Sequence, residues 1–159
     1  MIETKIRPAP VRRSVEVAAG QARAFSVFAE RMGDWWPKSH SIEGQSPQKD
    51  VIVEPRAGGR WYERTEDGGT GEWGKVLAWE PPGRILLAWQ LNADFAYDPA
   101  LVTEVEVTFE RLDDRRTRVV LEHRLLERMG ARAEEVRGMI DAPDGWPEIL
   151  RLYAEAATA

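Results

Sequence analysis

The chain has 159 residues, enough to bury a core without cross-links, and we predict one domain over residues 1–159. It contains no cysteine, which excludes disulfide bonds and thiolate metal sites and fits a reducing cytoplasm. The net charge of −5 repels a phosphate backbone and argues against nucleic acid as the main partner. Residues 1–5 lack the apolar core of a signal peptide and no apolar run reaches about 18 residues, so we expect a cytoplasmic protein that does not engage a membrane.

The first part of the chain has the pattern of a strand followed by two helical segments. Residues 11–17 place three valines on one side and predict a strand. Residues 21–31 repeat apolar side chains at helical spacing, and Gly33 ends this helix. A loop or short helical turn follows with two adjacent indoles, Trp35 and Trp36, which cannot both face the same way. One of them is expected to point into the fold and the other to its rim.

From residue 51 the pattern changes to short strands divided by turn signals. The predicted strands span residues 51–54, 60–65, 72–79, 84–91, 101–110 and 117–125. Connections of hairpin length predict an antiparallel meander. The glycine pairs at 58–59 and 68–69 lie between strands and open no helix, so we interpret them as turn glycines rather than phosphate-binding loops.

The last two predicted strands alternate between apolar and charged residues, which indicates one buried and one solvated face. The opposed rows of Glu and Arg on the solvated face could pair across the sheet. By contrast, residues 73–79 and 85–91 carry bulky apolar groups on both faces. Either a bulge re-aims some of these side chains, or the convex face keeps an apolar patch for a partner chain, which leaves a homodimer as an open hypothesis.

The final segment, residues 145–157, predicts an amphipathic helix that covers the sheet. Its apolar face comprises Trp146, Ile149, Leu150, Tyr153 and Ala157. Asp144 is expected to cap the first free amides, and Pro147 suits the first turn. A shorter helix with Val136, Met139 and Ile140 on one face precedes it. Strands bracketed by helices predict an α+β domain with the helices on one face of an antiparallel sheet.

Several motifs are similar to those of a known superfamily. They are Glu54 to Trp61, Trp73 to Pro82 with Arg84, Ile85 and Trp89, Leu121 to Arg124, and Gly145-Trp146. These residues resemble the SRPBCC or START-like superfamily and, within it, homologues of the activator of the heat-shock-protein-90 ATPase, specifically that family's C-terminal domain.

The resemblance implies a helix-grip fold, in which a curved antiparallel sheet of about six to seven strands wraps on a long C-terminal helix over a deep apolar cavity, with two short helices after the first strand. Members include lipid and hormone binders and polyketide cyclases and aromatases. The full co-chaperone has an additional N-terminal domain with no counterpart in these residues, so we do not expect activation of the chaperone ATPase.

The residue types and the implied cavity together give a set of candidate ligand-binding residues. They are Trp35, Trp36, His40, Trp61, Glu63, Trp89, His123, Trp146, Leu150 and Tyr153. His40, Glu63 and His123 are the polar anchors of this set. The alternatives are that His123 is a hydrogen-bonded core residue, that Glu63 is an ordinary surface carboxylate, and that the adjacent indoles plug the core instead of gating a cavity.

The leading functional hypothesis is the binding of a small hydrophobic or aromatic molecule, without a cofactor. Two histidines at unrelated positions make a metal site improbable. A second hypothesis is an enzyme of the polyketide cyclase or aromatase kind, with Glu63 or His123 transferring a proton. A third is a dimeric protein-interaction or stress-response module. Covalent catalysis is not expected, because the serines lack a nucleophile-elbow context.

Overall fold

The computed structural model describes residues 8–42 and 46–158. Residues 1–5, on which the signal-peptide prediction was based, lie outside this part of the chain. The strands are β1 Val11–Val17, β2 Gln48–Val53, β3 Arg60–Thr65, β4 Thr70–Glu80, β5 Arg84–Trp89, β6 Thr103–Asp113 and β7 Arg116–Arg124. The α-helices are α1 Gln21–Glu30, α2 Met32–Trp35, α3 Ala133–Ile140 and α4 Trp146–Ala157, and 3₁₀ segments occur at Lys38–His40 and Leu126–Arg132.

The seven strands form one curled antiparallel sheet in the order β1-β7-β6-β5-β4-β3-β2. The meander runs without interruption from β2 to β7, and β1 pairs with β7 at the far edge. α4 packs against β1, α1 and α2. The α+β helix-grip fold is therefore confirmed, including the two short helices after the first strand.

Strands β6 and β7 show why one face of the sheet is buried and the other is exposed to solvent. Val105, Val107 and Leu121 are fully buried, and the side chains between them face solvent. On that outer face Arg124 pairs with Glu104 at 3.0 Å and with Glu106 at 3.2 Å. The predicted pairing of Glu and Arg rows is confirmed. Exposed pairs of this kind contribute about 0.2–1 kcal/mol each, so burial of the other face dominates stability.

Two irregularities in β4 account for the bulky residues on both faces of this strand. The register with β3 shifts at Trp73, and the register with β5 shifts at Leu77. Each shift adds one residue, so Trp73 and Val76 both point inward while Leu77 is left 38% exposed. Beyond the second bulge Trp79 packs edge-on against Phe25, with ring centroids 5.1 Å apart. A bulge therefore re-aims these side chains, and a homodimer stays a prediction.

Helix α4 buries the predicted face in full. It begins at Trp146 with Gly145 in the N-cap position, and no side chain among the described residues caps it. The prediction that Asp144 caps this helix is wrong, because the N-cap position belongs to Gly145, where the close turn from α3 leaves no room for a side chain. A Cβ atom at Gly145 would lie 2.3 Å from the carbonyl oxygen of Ile140. In the described part of the chain, none of the helices has the length and apolar character needed to cross a bilayer.

Candidate functional site: an indole-lined cavity

A cavity of about 790 Å³ lies at one end of the sheet. It is enclosed by the strand ends, the 3₁₀ segment at 38–40, α3 and the first turn of α4. Four indoles line it: Trp36, Trp73, Trp89 and Trp146. Aliphatic side chains complete the apolar wall: Ile42, Leu91, Met139, Ile140 and Ile149. This volume is in the range of about 300–1,000 Å³ that is typical of small-molecule sites.

The four indoles are packed against one another so closely that each is at most 5% exposed, and each offers only a small part of its ring to the cavity. The ring centroids of Trp36 and Trp73 are 4.8 Å apart, and those of Trp89 and Trp146 are 5.7 Å apart. Three of the four N–H groups donate to protein acceptors: Trp73 to Glu63 at 3.0 Å, Trp146 to His123 at 3.2 Å and Trp36 to the His40 carbonyl at 3.5 Å. Because these donors are already engaged, a ligand meets mainly carbon and π surface.

Polar side chains gather at the rim of the cavity. The rim comprises Ser39, His40, Ser41, Asp94, Glu135 and Asp144. His40 Nε2 lies 2.6 Å from the carbonyl oxygen of Asp144. A carbonyl can only accept, so Nε2 carries the hydrogen and donates it. His40 Nδ1 lies 3.1 Å from Ser39 Oγ. His40 thus joins the 3₁₀ segment to the start of α4 across the edge of the cavity.

His123 is buried behind the cavity wall and both of its ring nitrogens are hydrogen-bonded. Its Nδ1 accepts from Trp146, and its Nε2 lies 2.9 Å from Thr103 Oγ1. The Thr103 hydroxyl donates to the carbonyl of Trp89 at 3.1 Å, so Nε2–H is the donor to Thr103. Burial lowers the pKa of His123 to about 3. The imidazole is therefore neutral near pH 7 and fastens α4 to the sheet.

Glu63 is also fully buried and is surrounded by donors. Its carboxylate accepts hydrogen bonds from the hydroxyl of Ser41, the backbone N–H of Ile42, the amide of Gln48 and the indole of Trp73. The surface alternative for Glu63 is therefore wrong. The carboxylate holds the segment at 41–42 and one cavity indole in place from behind.

The other half of the space under α4 is filled by side chains. Tyr153 is fully buried, and its hydroxyl donates to the carbonyl of Ala24 at 2.6 Å. Its ring lies 5.2 Å from Phe28 and 5.3 Å from Trp35, measured between centroids. Helix α4 consequently covers a packed core with its C-terminal half and a hollow with its N-terminal turn.

The structure separates the ten predicted ligand-binding residues into two groups. Those that line the cavity are Trp36, His40, Trp89 and Trp146. Those that lie outside its lining are Trp35, Trp61, Glu63, His123, Leu150 and Tyr153. The second group was expected to line a cavity between the sheet and α4, whereas the cavity lies only beside the first turn of that helix. Contact of any of the ten with a ligand stays a prediction.

Sequence reasoning missed several lining residues. They are Trp73, Asp94, Phe95, Glu135 and Met139. The aromatic content of the β4 segment was a usable signal for Trp73, but its facing depends on a bulge. The loop at 92–97 has no periodic pattern, and the apolar face predicted for α3 did not indicate whether it borders a cavity or a packed core. Among residues 8–42 and 46–158, no three His, Asp or Glu side chains converge in a manner suited to a metal ion.

Comparison with known proteins identifies the family. The family described as activator of Hsp90 ATPase homolog 1-like protein matches residues 23–157. The chain belongs to this family. The resemblance to the SRPBCC superfamily inferred from the sequence is therefore confirmed. No curated protein matches the chain.

Among solved structures of this fold, the following two are more than 30% identical in sequence to the chain. Txn09, an anthrahydroquino-γ-pyrone synthase in complex with SUM, is 36% identical, with a TM-score of 0.65, and the alignment covers 92% of this chain and 95% of that one. CalC from Micromonospora echinospora, a self-sacrificing resistance protein, is 31% identical, with a TM-score of 0.66 and 93% of each chain covered. Protein Ms6760 from Mycobacterium smegmatis is 22% identical, with a TM-score of 0.60 over 94% of this chain and 91% of that one, and shows the fold alone.

Proposed function

We propose that this member of the family binds a planar, fused-ring aromatic molecule in the indole-lined cavity. The observation that carries the proposal is the lining itself: four indoles lie in the wall of a cavity of about 790 Å³, and three of their N–H groups are already bonded to the protein. Such walls favour a ligand that offers flat π surface over one that needs hydrogen bonds in the interior. Polar substituents of the ligand would reach the rim at His40 and Asp144.

The similarity to Txn09 supports a fused-ring ligand. That protein is named for an anthrahydroquino-γ-pyrone and is 36% identical to this chain over nearly its whole length. The charged side chains that line the described cavity are all acidic, namely Asp94, Glu135 and Asp144. The described lining contains no Lys or Arg, so it offers an anionic ligand no ion pair and is compatible with neutral phenols and quinones.

Gly138 offers a way to test the proposal without damaging the fold. It lies in the cavity wall on α3, and a Cβ atom built there meets nothing within 4 Å. Replacing glycine inside a helix with alanine or leucine removes a propensity cost of roughly 1 kcal/mol. Gly138→Leu should therefore fold well and obstruct the cavity, whereas Gly138→Ala adds a single methyl group and serves as the matched control.

The experiment is equilibrium dialysis of the full chain against 1,8-dihydroxyanthraquinone, with native mass spectrometry of freshly purified protein to detect any retained small molecule. We expect saturable binding to the wild type, retained binding in Gly138→Ala and a loss of at least about tenfold in Gly138→Leu, equivalent to 1.4 kcal/mol. Absence of binding to the wild type, or equal affinity in the leucine variant, would contradict the proposal.

A second candidate function is a ring-forming enzyme, and the similarity to a named synthase is the observation that favours it. The geometry disfavours Glu63 and His123 as the proton-transferring groups, because both are enclosed, hydrogen-bonded and outside the cavity lining. His40 lies in the wall with Nε2–H held by a carbonyl, so its Nδ1 is the basic nitrogen of that ring.

Cyclisation of a linear aromatic polyketone would distinguish the enzyme from a binder. An enzyme of this kind should lose turnover in His40→Gln and keep it in Glu134→Gln, a change on the exposed face of α3 outside the cavity lining. If no conversion occurs in wild-type protein that binds the dihydroxyanthraquinone, the binding function stands and the enzymatic one fails.

A further inference from the structure

The connection between β5 and β6 begins with a turn that is closely hydrogen-bonded. The backbone N–H of Asn92 donates to the carbonyl of Ala96 at 2.9 Å, and that of Phe95 donates to the carbonyl of Asn92 at 2.9 Å. The side-chain oxygen of Asn92 accepts from the backbone N–H groups of Asp94 at 2.9 Å and Ala96 at 3.1 Å. Four hydrogen bonds within five residues fix the position of Phe95 near the apex.

An ion-pair network fastens this turn to the helix on the other side of the cavity. Arg132 binds Asp94 at 2.7 Å and Glu135 on α3 at 2.8 Å. Asp94, Phe95 and Glu135 all line the cavity. One guanidinium group therefore links the turn to α3, and Phe95 lies next to Asp94 in this turn.

Phe95 has a backbone conformation that is unfavourable for its residue type. Its backbone φ is +57°, in the left-handed region that residues other than glycine, asparagine and aspartate rarely adopt. Its side chain is 37% exposed and does not belong to the buried core. Within the described residues it contacts no other aromatic ring. A strained backbone that supports an exposed phenyl ring at a cavity mouth is typical of a functional position.

In the part of the chain that the structure describes, two other large apolar side chains are exposed, and comparison with them shows how Phe95 differs. Leu77 lies on the convex face at a bulge and Tyr97 follows Phe95 in the same loop, 40% exposed. Neither lines the cavity. Of these three residues, only Phe95, whose backbone is strained, lies where a ligand in the cavity would touch it.

We propose that Phe95 is a specificity-determining residue that stacks on the outer part of a planar aromatic ligand whose inner part lies against the indoles. This inference rests on the proposed binding function. Stacking needs a flat π face on both partners, so Phe95 favours planar fused rings over saturated ring systems of the same size. A leucine at this position would keep the apolar contact and lose the stacking.

The test compares two probes on matched variants of the full chain by equilibrium dialysis. The planar probe is 1,8-dihydroxyanthraquinone and the saturated one is 5α-androstane-3β,17β-diol. For Phe95→Leu we expect a loss of about 2- to 12-fold for the planar probe, the range that aromatic pairing supplies, and less than about twofold change for the diol. Tyr97→Leu, in the same loop but outside the lining, should leave the Kd of the planar probe within about twofold.

Urea unfolding of Phe95→Gly separates a role in binding from a role in folding. Glycine tolerates the left-handed backbone, so this variant should unfold at the same or a higher urea concentration than the wild type. A clearly lower midpoint would mean that the phenyl ring supports the fold, and would overturn the inference.

The binding results also decide the matter. Failure of the planar probe to bind the wild type would end the proposed function and this inference together. Binding to the wild type with an equal Kd in Phe95→Leu, or with equal losses in Phe95→Leu and Tyr97→Leu, would overturn this inference alone. Equal losses of affinity for both probes in Phe95→Leu would mean that the phenyl ring only shields the ligand from solvent without stacking on it, and would likewise overturn this inference. If the diol does not bind the wild type, the comparison of the two leucine variants on the planar probe decides.

Discussion

His123 should make the folded state lose stability steeply in mild acid. In the native protein burial lowers its pKa from 6.5 to about 3, so the imidazole stays neutral there. In the unfolded chain the same imidazole takes up a proton below pH 6.5. Between pH 6.5 and pH 3 the unfolded state therefore binds more protons, and the free energy of unfolding falls as the pH falls.

The size of the effect follows from the pKa difference. Each pH unit in this window costs about 1.4 kcal/mol, so the drop from pH 7 to pH 4.5 attributable to His123 is about 2–3 kcal/mol. That is a large share of the 5–15 kcal/mol by which a domain is usually stable. Other groups, such as the Glu106 carboxylate whose pKa is lowered by Arg84 and Arg124 against the effect of its partial burial, also weaken the fold in acid.

A matched variant removes those other contributions. Gln at position 123 does not titrate and can still accept from Trp146 or donate to Thr103, at a cost of about 1–3 kcal/mol at pH 7. Urea unfolding of both proteins, followed by far-UV circular dichroism, should show the wild type losing about 2–3 kcal/mol more than His123→Gln between pH 7 and pH 4.5. Parallel losses in the two proteins would refute the neutral, buried state of this histidine.

Three further predictions concern the packed side of the site and are measured by urea unfolding at pH 7. Tyr153→Phe should cost about 1–2 kcal/mol, because it leaves the buried carbonyl of Ala24 without its donor at 2.6 Å; an unchanged midpoint would contradict this. Glu63→Gln should cost about 2–3 kcal/mol, since an amide NH₂ would face donors that now point at carboxylate oxygens; stability equal to the wild type would show that the contacts rearrange freely. Gly74→Ala should cost more than about 3 kcal/mol, because the new Cβ would lie 1.7 Å from the carbonyl oxygen of Ala88; a normally stable variant would mean that the strands can separate there.

The strands and the C-terminal helix could be predicted because their signals are local. The alternation in β6 and β7 and the helical repeat in α4 each depend on neighbouring residues and on burial of one face. The facing of β4 could not be predicted. One extra residue at a bulge inverts every side chain beyond it. Gly74 is a residue type that often accompanies a bulge, but it does not identify Trp73 as the inserted position, and no residue type in that strand marks Leu77.

The candidate site was harder to predict because its walls come from segments far apart in the chain. Trp36, Trp89 and Trp146 were predicted as ligand-binding residues and lie in the cavity lining. Trp35 and Trp61 were predicted on the same grounds and lie outside it, because inward aromatic side chains can also fill the core. The rim depends on contacts between segments that no local pattern links, such as His40 with the carbonyl of Asp144, 104 residues away. The end of α4 at which the space stays open depends on how side chains such as Tyr153 pack.

The cluster of indoles gives the protein a built-in optical reporter. Six of the seven tryptophans form one connected group with neighbouring centroids 4.8–6.0 Å apart: Trp35, Trp36, Trp61, Trp73, Trp89 and Trp146. At such spacing, excitation energy passes from one indole ring to another before a photon is emitted. A quenching molecule in the cavity should therefore dim the fluorescence of Trp35 and Trp61 as well as that of the four lining rings, while Trp79, packed on Phe25, keeps a separate signal. Occupancy could thus be followed on the unmodified chain by its own ultraviolet emission.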